Sequence, residues 1–359
     1  MSLQSPHDIK DLQKILRCEV CLDEYTRAVY STSASIYQIM PLAVVYPEDE
    51  KDILSILEFC RSKKIPLIAR GAGTSTAGQV QGQAIILDFS KHFNKILAVT
   101  PETKEVIVEP GLVYSNLNKF LKIEGLFFPP DPSSGDYCTI GGMISNNSGG
   151  THSVKYGSTK HWVKSLRVIL HDGTIIETEE ISRLIAGGMR PIGSEFVLPL
   201  LEKLSSSKDQ IERLWPQVQK NASGYNLKDT INNGRLNLTQ LFVGSEGTLG
   251  IITQATLKLA PIPASKATMM FGFETEDRLD QAFSVVRDSK PAAMEFIEKG
   301  LLELMQEELP EDYNEVISGL AALLLVEFDS TTKVEEEHFK KIYNDILGKL
   351  LRAGVPSVS

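Results

Sequence analysis

The chain has 359 residues, more than one ordinary core carries, so two or three domains are expected. Hydrophobic residues at 42% and charged residues at 23% exclude a disordered or fibrous chain. The net charge is −9, and the basic residues sit beside acids, as at Glu298-Lys299 and Glu337–Lys341, which excludes a nucleic-acid or anionic-lipid surface.

Met1–Lys10 has no basic segment followed by an apolar one, so it does not read as a secretory signal. Residues 8–23 read as a helix. Cys18 and Cys21 form a lone C-x-x-C there, read as two small residues on one helix face rather than half a metal site, because no second cluster of ligands follows. The longest dense apolar run, Ala321–Val326, is strand-sized, far from the roughly 20 residues that span a bilayer. A cytoplasmic protein is expected, with peripheral membrane attachment through a partner left open.

Pro47-Glu48-Asp49-Glu50 opens a helix to about Lys63, its acids placed where the helix dipole favours them. Strands are expected at Ile65–Ala69, Ala84–Asp88 and Glu105–Glu109, then a helix over Tyr114–Ile123 that stops at Gly125. Leu166–His171 and Thr174–Thr178 flank Asp172-Gly173, a hairpin signal that calls for positive φ at both central positions. Helices fill much of 194–220, and a strand over Ile251–Leu259 ends at Pro261-Ile262-Pro263. That Pro-x-Pro sets the expected division: an N-terminal helical segment over 1–34, a first domain over 35–262 and a second over 263–359.

The second domain reads β (Thr268–Phe273), α (Asp277–Asp288), β (Ala292–Ile297), α (about 299–308), β (Leu323–Phe328) and α (about Lys333–Ala353). This is a split-βαβ order that stops as a fourth strand begins at Val355–Ser359. A domain that ends in mid-motif is expected of a truncated chain; the alternative is that its last strand is simply short.

Three segments carry the chemistry. Arg70-Gly71-Ala72-Gly73-Thr74-Ser75-Thr76-Ala77-Gly78-Gln79 follows a strand. Its glycines allow positive φ and close approach, its backbone N–H groups can form a nest for phosphate, and its hydroxyls add donors. It is neither a Walker A loop nor a Rossmann fingerprint, because the spacing and the following strand are wrong. The second segment runs through Pro132, Ser133 and Ser134 to Thr139, Gly141, Gly142, Ile144, Asn146, Asn147, Gly149 and Gly150. Thr139 can cap a short helix whose N-terminus favours a negative group. Asn146 and Asn147 both donate and accept, which suits the edge of a flavin or adenine. The third segment, Gly244-Ser245-Glu246-Gly247-Thr248-Leu249-Gly250-Ile251-Ile252-Thr253, enters a strand. Glu246 is there either a ligand contact or a cap.

Together these segments resemble the PCMH-type flavin-binding domain of the vanillyl-alcohol-oxidase-like flavoproteins. The branch is that of the D component of glycolate oxidase, D-lactate dehydrogenase and D-2-hydroxyglutarate dehydrogenase. Arg70–Thr74 matches the pyrophosphate loop. Residues 129–134, 139–143 and 147–150 match the Pro-x-x-Pro-Ser-Ser, Thr-Ile-Gly-Gly-Met and Asn-x-x-Gly elements, and 244–253 matches almost word for word. The resemblance covers about 35–260 well. Residues 34–45 look like the long members, in which the flavin domain is fused to an iron–sulfur region, and 265–359 resemble the first half of the cap.

The resemblance implies an α+β fold, with a two-subdomain FAD-binding domain followed by an incomplete ferredoxin-like cap. It implies non-covalent FAD, since Thr74 stands where some relatives carry a linking histidine. The contacts it implies are Arg70, Gly71, Ala72, Gly73, Thr74, Ser75, Gly78, Gln79, Pro132, Ser133, Ser134, Thr139, Gly141, Gly142, Ile144, Asn146, Asn147, Gly149, Gly150, Glu246, Gly250, Ile251 and Ile252. The implied activity is oxidation of a D-2-hydroxy acid (D-lactate, glycolate or D-2-hydroxyglutarate) by hydride transfer to flavin N5. The implied partners are that small molecule and an electron acceptor or iron–sulfur region, and the incomplete sheet adds an expectation of homodimers. The family's late metal-and-substrate motif and iron–sulfur cysteines do not occur here, so no catalytic base is assigned. His152 either lines the site or is an ordinary loop histidine, and Tyr156 either packs on the flavin or lies in the core. The competing functional readings are a non-catalytic flavin-binding subunit of an electron-transfer complex, and a UDP-enolpyruvylglucosamine-type reductase on a related fold.

Overall fold

The structure, a computed structural model, describes residues 9–190, 194–218, 220–232, 235–306 and 317–355. The chain divides into two compact units. The first comprises Met1–Phe128, Pro132–Ser148 and Ser158–Ala260; the second comprises Pro129–Asp131, Gly149–Gly157 and Pro261–Ser359.

The first unit begins where a helix was expected. Among the described residues before strand β1 (Glu19–Cys21), residues 9–10 and Leu12–Ile15 are α-helical. The strand pairs antiparallel with β2 (Ala43–Tyr46), Val20 opposite Val45 and Cys21 opposite Val44. The helical reading of 8–23 thus holds for residues 9–10 and Leu12–Ile15 and is corrected over Glu19–Cys21: a sheet edge recruits Val20 and Cys21, and long-range pairing overrides local pattern. Cys18 and Cys21 do not share a helix face, and all four cysteines are free thiols. Helix α1 (Glu50–Lys63) follows, with Asp49 accepting from the N–H groups of Lys51 and Asp52 at 2.8 and 3.0 Å. It buries Ile53, Ile56, Leu57 and Cys60 and crosses over to β3 (Leu67–Arg70), which runs parallel to β4 (Ile85–Asp88). The sheet order is β1-β2-β4-β3.

The second layer of this unit is antiparallel. Strands β5 (Ile96–Thr100) and β6 (Glu105–Val108) precede helices α2 (Tyr114–Leu121) and α3 (Ile140–Ser145). Strands β7 (Val163–Ile169), β8 (Ile175–Glu177) and β9 (Ile251–Lys258) complete a five-stranded sheet in the order β5-β6-β9-β7-β8. β9 alternates buried and half-buried residues because one face packs on α2 and α3. The β7–β8 hairpin forms as expected, but with a different turn. Only Gly173 has positive φ (89°), its N–H donating to the Leu170 carbonyl at 2.9 Å. Asp172 instead uses its carboxylate, which accepts from Thr174 N–H at 2.9 Å. One network ties the two layers together. Arg167 on β7 donates to Glu50 at 2.7 and 3.0 Å and to Glu177 at 2.9 Å, and Thr253 donates to Glu50 at 2.6 Å.

The second unit contains β10 (Ser265–Phe273), α4 (Leu279–Asp288), β11 (Ala293–Glu298), α5 (Lys299–Gln306), β12 (Ala322–Ser330) and α6 (Glu336–Arg352). All pairings are antiparallel in the order β10-β12-β11, the arrangement of the first three strands of a split βαβ. One face buries Phe271, Phe273, Leu324 and Val326 against Val286, Phe339 and Ile346, while Leu323 faces Leu302, Ile317 and Leu320. Of the fourth strand expected at Val355–Ser359, Val355 is buried in this core and the remainder lies outside the described residues.

Candidate functional site

The first glycine segment leaves β3 at Arg70. Its side chain is 8% exposed; Nη1 donates to the Tyr30 carbonyl at 2.8 Å and Nη2 to that of Thr32 at 2.7 Å. The guanidinium also lies over the Tyr30 ring, 4.9 Å from its centroid. Burial pushes its pKa down, yet a guanidinium stays charged. Arg70 thus spends its fork on backbone carbonyls and sets the course of the loop. Gly71 is obligatory, since a Cβ there would fall 2.1 Å from Thr139 Oγ1. Gly73 and Gly78 take φ of +70° and +80°. The Ser75 hydroxyl donates to Gln79 Oε1 at 2.5 Å and closes the loop on itself.

Thr139 caps α3, its Oγ1 accepting from Gly142 N–H at 3.3 Å. Gly141 sits tight on Pro110, donating to its carbonyl at 2.7 Å, where a Cβ would come within 2.7 Å of Pro110 Cβ. At Gly142 a Cβ would meet only Thr139 Oγ1, at 3.4 Å. The third segment then locks onto the C-terminal end of α3. Gly244 N–H donates to the Ile144 carbonyl and Glu246 N–H to that of Ser145, both at 2.9 Å. Glu246 therefore caps through its backbone, at φ 54°, while its side chain is exposed.

These contacts bring the segments around one cavity of about 470 Å³ in the first unit. Arg70, Gly71, Ser75, Gln79, Thr139, Gly141, Gly142, Asn146, Glu246, Gly250 and Ile252 border it. Ala72, Gly73, Thr74 and Gly78 belong to the same loop but do not border it, and Ile144 and Ile251 are buried in the core beside it. Pro132, Ser133 and Ser134 form the turn that leads to Thr139, with the Pro132 carbonyl accepting from Gly135 N–H at 2.8 Å. Asn147 is buried at φ 47°, donating to the Asn221 carbonyl at 3.3 Å and accepting from Lys160 N–H at 2.9 Å. Gly149 and Gly150 lie in the second unit, where a Cβ on Gly150 would fall 1.8 Å from the Asp131 carbonyl oxygen. The walls also include Phe89, Pro110, Ser145, Ser245, Gly247 and Thr248, which sequence reasoning did not single out. Ser145, Ser245, Gly247 and Thr248 stood inside recognised segments; Phe89 and Pro110 gave no local signal.

The second unit holds a separate polar cluster. His152 Nδ1 lies 2.6 Å from Asp131 Oδ2 and its Nε2 2.8 Å from Glu327 Oε1, so both nitrogens are used. Two carboxylate partners require both ring nitrogens to donate, which favours the imidazolium. The hydrogen bond to Asp131, followed by that to Glu327, raises the His152 pKa against the opposing effect of burial. Lys266 also donates to Glu327, at 3.0 Å. Lys155 pairs with the buried Asp329 carboxylate, to which the Tyr156 hydroxyl donates at 3.0 Å. Burial and this carboxylate push the Tyr156 pKa up, so it stays protonated. His152 is a pin between segments of the second unit, and Tyr156 packs in the same cluster.

Residues 41–179 match the FAD binding domain family, and residues 262–357 match the C-terminal domain of the FAD linked oxidases. The chain is 34% identical over 324 residues to the glycolate oxidase component GlcD of Bacillus subtilis, spanning 88% of this chain and 57% of that protein. It is 30% identical over 292 residues to D-2-hydroxyglutarate dehydrogenase of Escherichia coli, covering 79% of this chain and 29% of the relative. Among solved structures, an alkyldihydroxyacetonephosphate synthase superposes with a TM-score of 0.71 over 97% of this chain and 60% of its own, at 18% identity, which speaks for the fold alone. The chain thus spans between about a third and a little over half of these curated relatives.

Proposed function

We propose that this chain, which belongs to the FAD-linked oxidases and takes FAD as its cofactor, holds FAD in the first unit's cavity and serves the oxidation of a D-2-hydroxy acid. The observation that carries the reading is the convergence of three glycine-rich segments, far apart in sequence, on one cavity. The cavity suits the group. Its volume of about 470 Å³ lies in the range of cofactor sites. Its walls alternate apolar side chains (Ile68, Val80, Phe89, Ile252) with hydroxyls and glycine backbone. A Cβ on Gly247 would meet nothing within 4 Å, so backbone can approach a ligand there without a side chain intervening.

Bound FAD supplies a hydride acceptor at N5. The chain's own residues bind and orient. In this reading the loop 71–79, fixed by Arg70 and by the Ser75–Gln79 bond, takes the diphosphate. Gly142, Asn146 and the rim at Ser245–Thr248 hold the ring system. In this reading FAD is held non-covalently, the loop carrying Thr74 where a linking side chain would stand.

The substrate class comes from the relatives, whose names give glycolate and D-2-hydroxyglutarate. The partners in this reading are that small molecule, an electron acceptor or iron–sulfur region, and a second copy of the chain through the outer edge of β10, which pairs with no strand among the described residues. No described helix is long and apolar enough to cross a membrane. A cytoplasmic location, with peripheral attachment through a partner, fits the four free thiols.

The test is to load the purified chain with FAD, record the visible spectrum, and precipitate with acid. Yellow colour released to the supernatant, identified as FAD by mass spectrometry, is the expected result. A chain that takes up no FAD overturns the reading. Flavin that D-lactate, glycolate and D-2-hydroxyglutarate all fail to bleach would leave the flavin-binding-subunit reading in place of the enzymatic one.

A further inference from the structure

The segment Asn221–Asn226 is tied to the surroundings of the cavity at three points. The Asn221 carbonyl accepts from Asn147 Nδ2 at 3.3 Å, and Asn226 Nδ2 donates to Gln240 Oε1 at 2.9 Å. The Tyr225 hydroxyl lies 2.9 Å from Thr248 Oγ1. The third contact has a fixed direction. A threonine hydroxyl carries one hydrogen and two lone pairs. Thr248 donates its hydrogen to the Ser245 carbonyl at 2.6 Å, and its N–H reaches the same carbonyl at 3.1 Å. Two oxygens at 2.6 Å without a hydrogen between them would repel, so the Ser245 bond claims that hydrogen. Tyr225 must therefore be the donor to Thr248. Thr248 Oγ1 is left with one lone pair and no hydrogen to offer. It borders the cavity and is exposed, so its remaining capacity is that of an acceptor.

We propose that Tyr225 is a positioning residue that presents Thr248 to the cavity as a pure hydrogen-bond acceptor, matched to an N–H or O–H donor of the bound cofactor. This rests on the reading that the cavity holds FAD, whose imide N–H, adenine amine and sugar-like hydroxyls are donors of that class. Without the tyrosine hydrogen, Thr248 keeps its bond to Ser245 but loses the partner that fixes which lone pair faces the ligand. The Asn221–Asn226 segment also loses its tie to the rim. A donor-rich cofactor group is then held less well, while the fold, secured by the buried Asn147 and Gln240 bonds, keeps its stability.

The test is a fluorescence titration with FAD on the wild type, Tyr225→Phe, Thr248→Val, Thr248→Ser and the Tyr225→Phe/Thr248→Val double variant, with unliganded melting temperatures alongside. One hydrogen bond predicts a weakening of about five- to tenfold for each of Tyr225→Phe and Thr248→Val. The double variant should be no weaker than the weaker single, because both act through one oxygen. Thr248→Ser should stay near the wild type, and the unliganded melting temperatures should not move. FAD affinity unchanged in Tyr225→Phe, or fully additive losses in the double variant, overturns the proposal. A loss in Tyr225→Phe matched by a fall in its unliganded melting temperature, with Thr248→Val binding as the wild type does, assigns Tyr225 a structural role and also overturns it. A wild type that binds no FAD removes the cavity reading itself, and this inference with it.

Discussion

Arg70 is the residue whose sequence neighbourhood says least about what its side chain does. Beside a glycine-rich loop it reads as a phosphate ligand, yet its donors go to the Tyr30 and Thr32 carbonyls. Arg70→Met leaves those carbonyls unpaired and is expected to cost about 2–4 kcal/mol, read as a lower melting temperature together with weaker FAD retention. Gly71→Ala places a methyl 2.1 Å from Thr139 Oγ1 and should cost about 1–3 kcal/mol through displacement of the loop. His152 gives a pH signature. Its pKa stands above the ordinary 6.5, chiefly because of Asp131. A raised folded-state value means that the pin's stabilisation is complete below about pH 6.5 and is lost as the pH rises through the raised value. The melting temperature of the wild type should therefore exceed that of His152→Ala by more at about pH 6 than at about pH 9. A gap that widens with pH would refute the imidazolium assignment.

At the scale of elements, the sheets of the first unit depend on a charge network rather than on apolar packing alone. Glu50, at the start of α1, receives Arg167 from β7 and Thr253 from β9. Arg167 holds the Glu50 carboxyl below its ordinary 4.5. A lowered folded-state pKa contributes stability that is complete above about pH 4.5 and is lost as the pH falls through the lowered value. Glu50→Gln should cost about 1–2 kcal/mol at neutral pH, since the pair is bidentate but partly exposed. Thermal melts from about pH 7 down to about pH 3 should show that deficit shrinking. The same scale shows where local pattern was a good guide. Asp49 caps α1, Thr139 caps α3 and Gly125 ends the helical stretch after α2 at φ 66°, each announced by residue type. It failed at β1, whose three residues are a strand only because β2 lies beside them.

At the scale of the whole molecule, the three-stranded sheet of the second unit leaves β10 unpaired on its outer side among the described residues. A cavity of about 630 Å³ is lined by Met269 and Met270 of this strand together with Phe339 and Tyr343 of α6. A nine-residue edge of this kind invites pairing with another chain. Light scattering is expected to show association that grows with concentration, and Met270→Lys, at a 40% exposed position, should reduce it. A wild type that stays monomeric at high concentration would end this expectation.

The sequence by itself determined the motifs and most of the elements, because helix caps, turn glycines and alternating strands are written within a few residues of where they act. It placed Gly71, Thr139, Gly142 and Gly250 in segments built for close approach, and those segments border the cavity. It announced the order of the second unit's strands and helices for the same reason. Only the tertiary structure decided which side chains border the cavity and which serve the fold. Arg70 and Asn147 are committed to partners 38 and 74 residues away, at Thr32 and Asn221, and Gly141 is committed to Pro110. Phe89, Pro110 and Tyr225 gain their places from packing that no local pattern encodes. Contacts between distant segments depend on how the layers meet, and that is settled by the summed burial of the cores and the Glu50–Arg167 network rather than by any one stretch of chain.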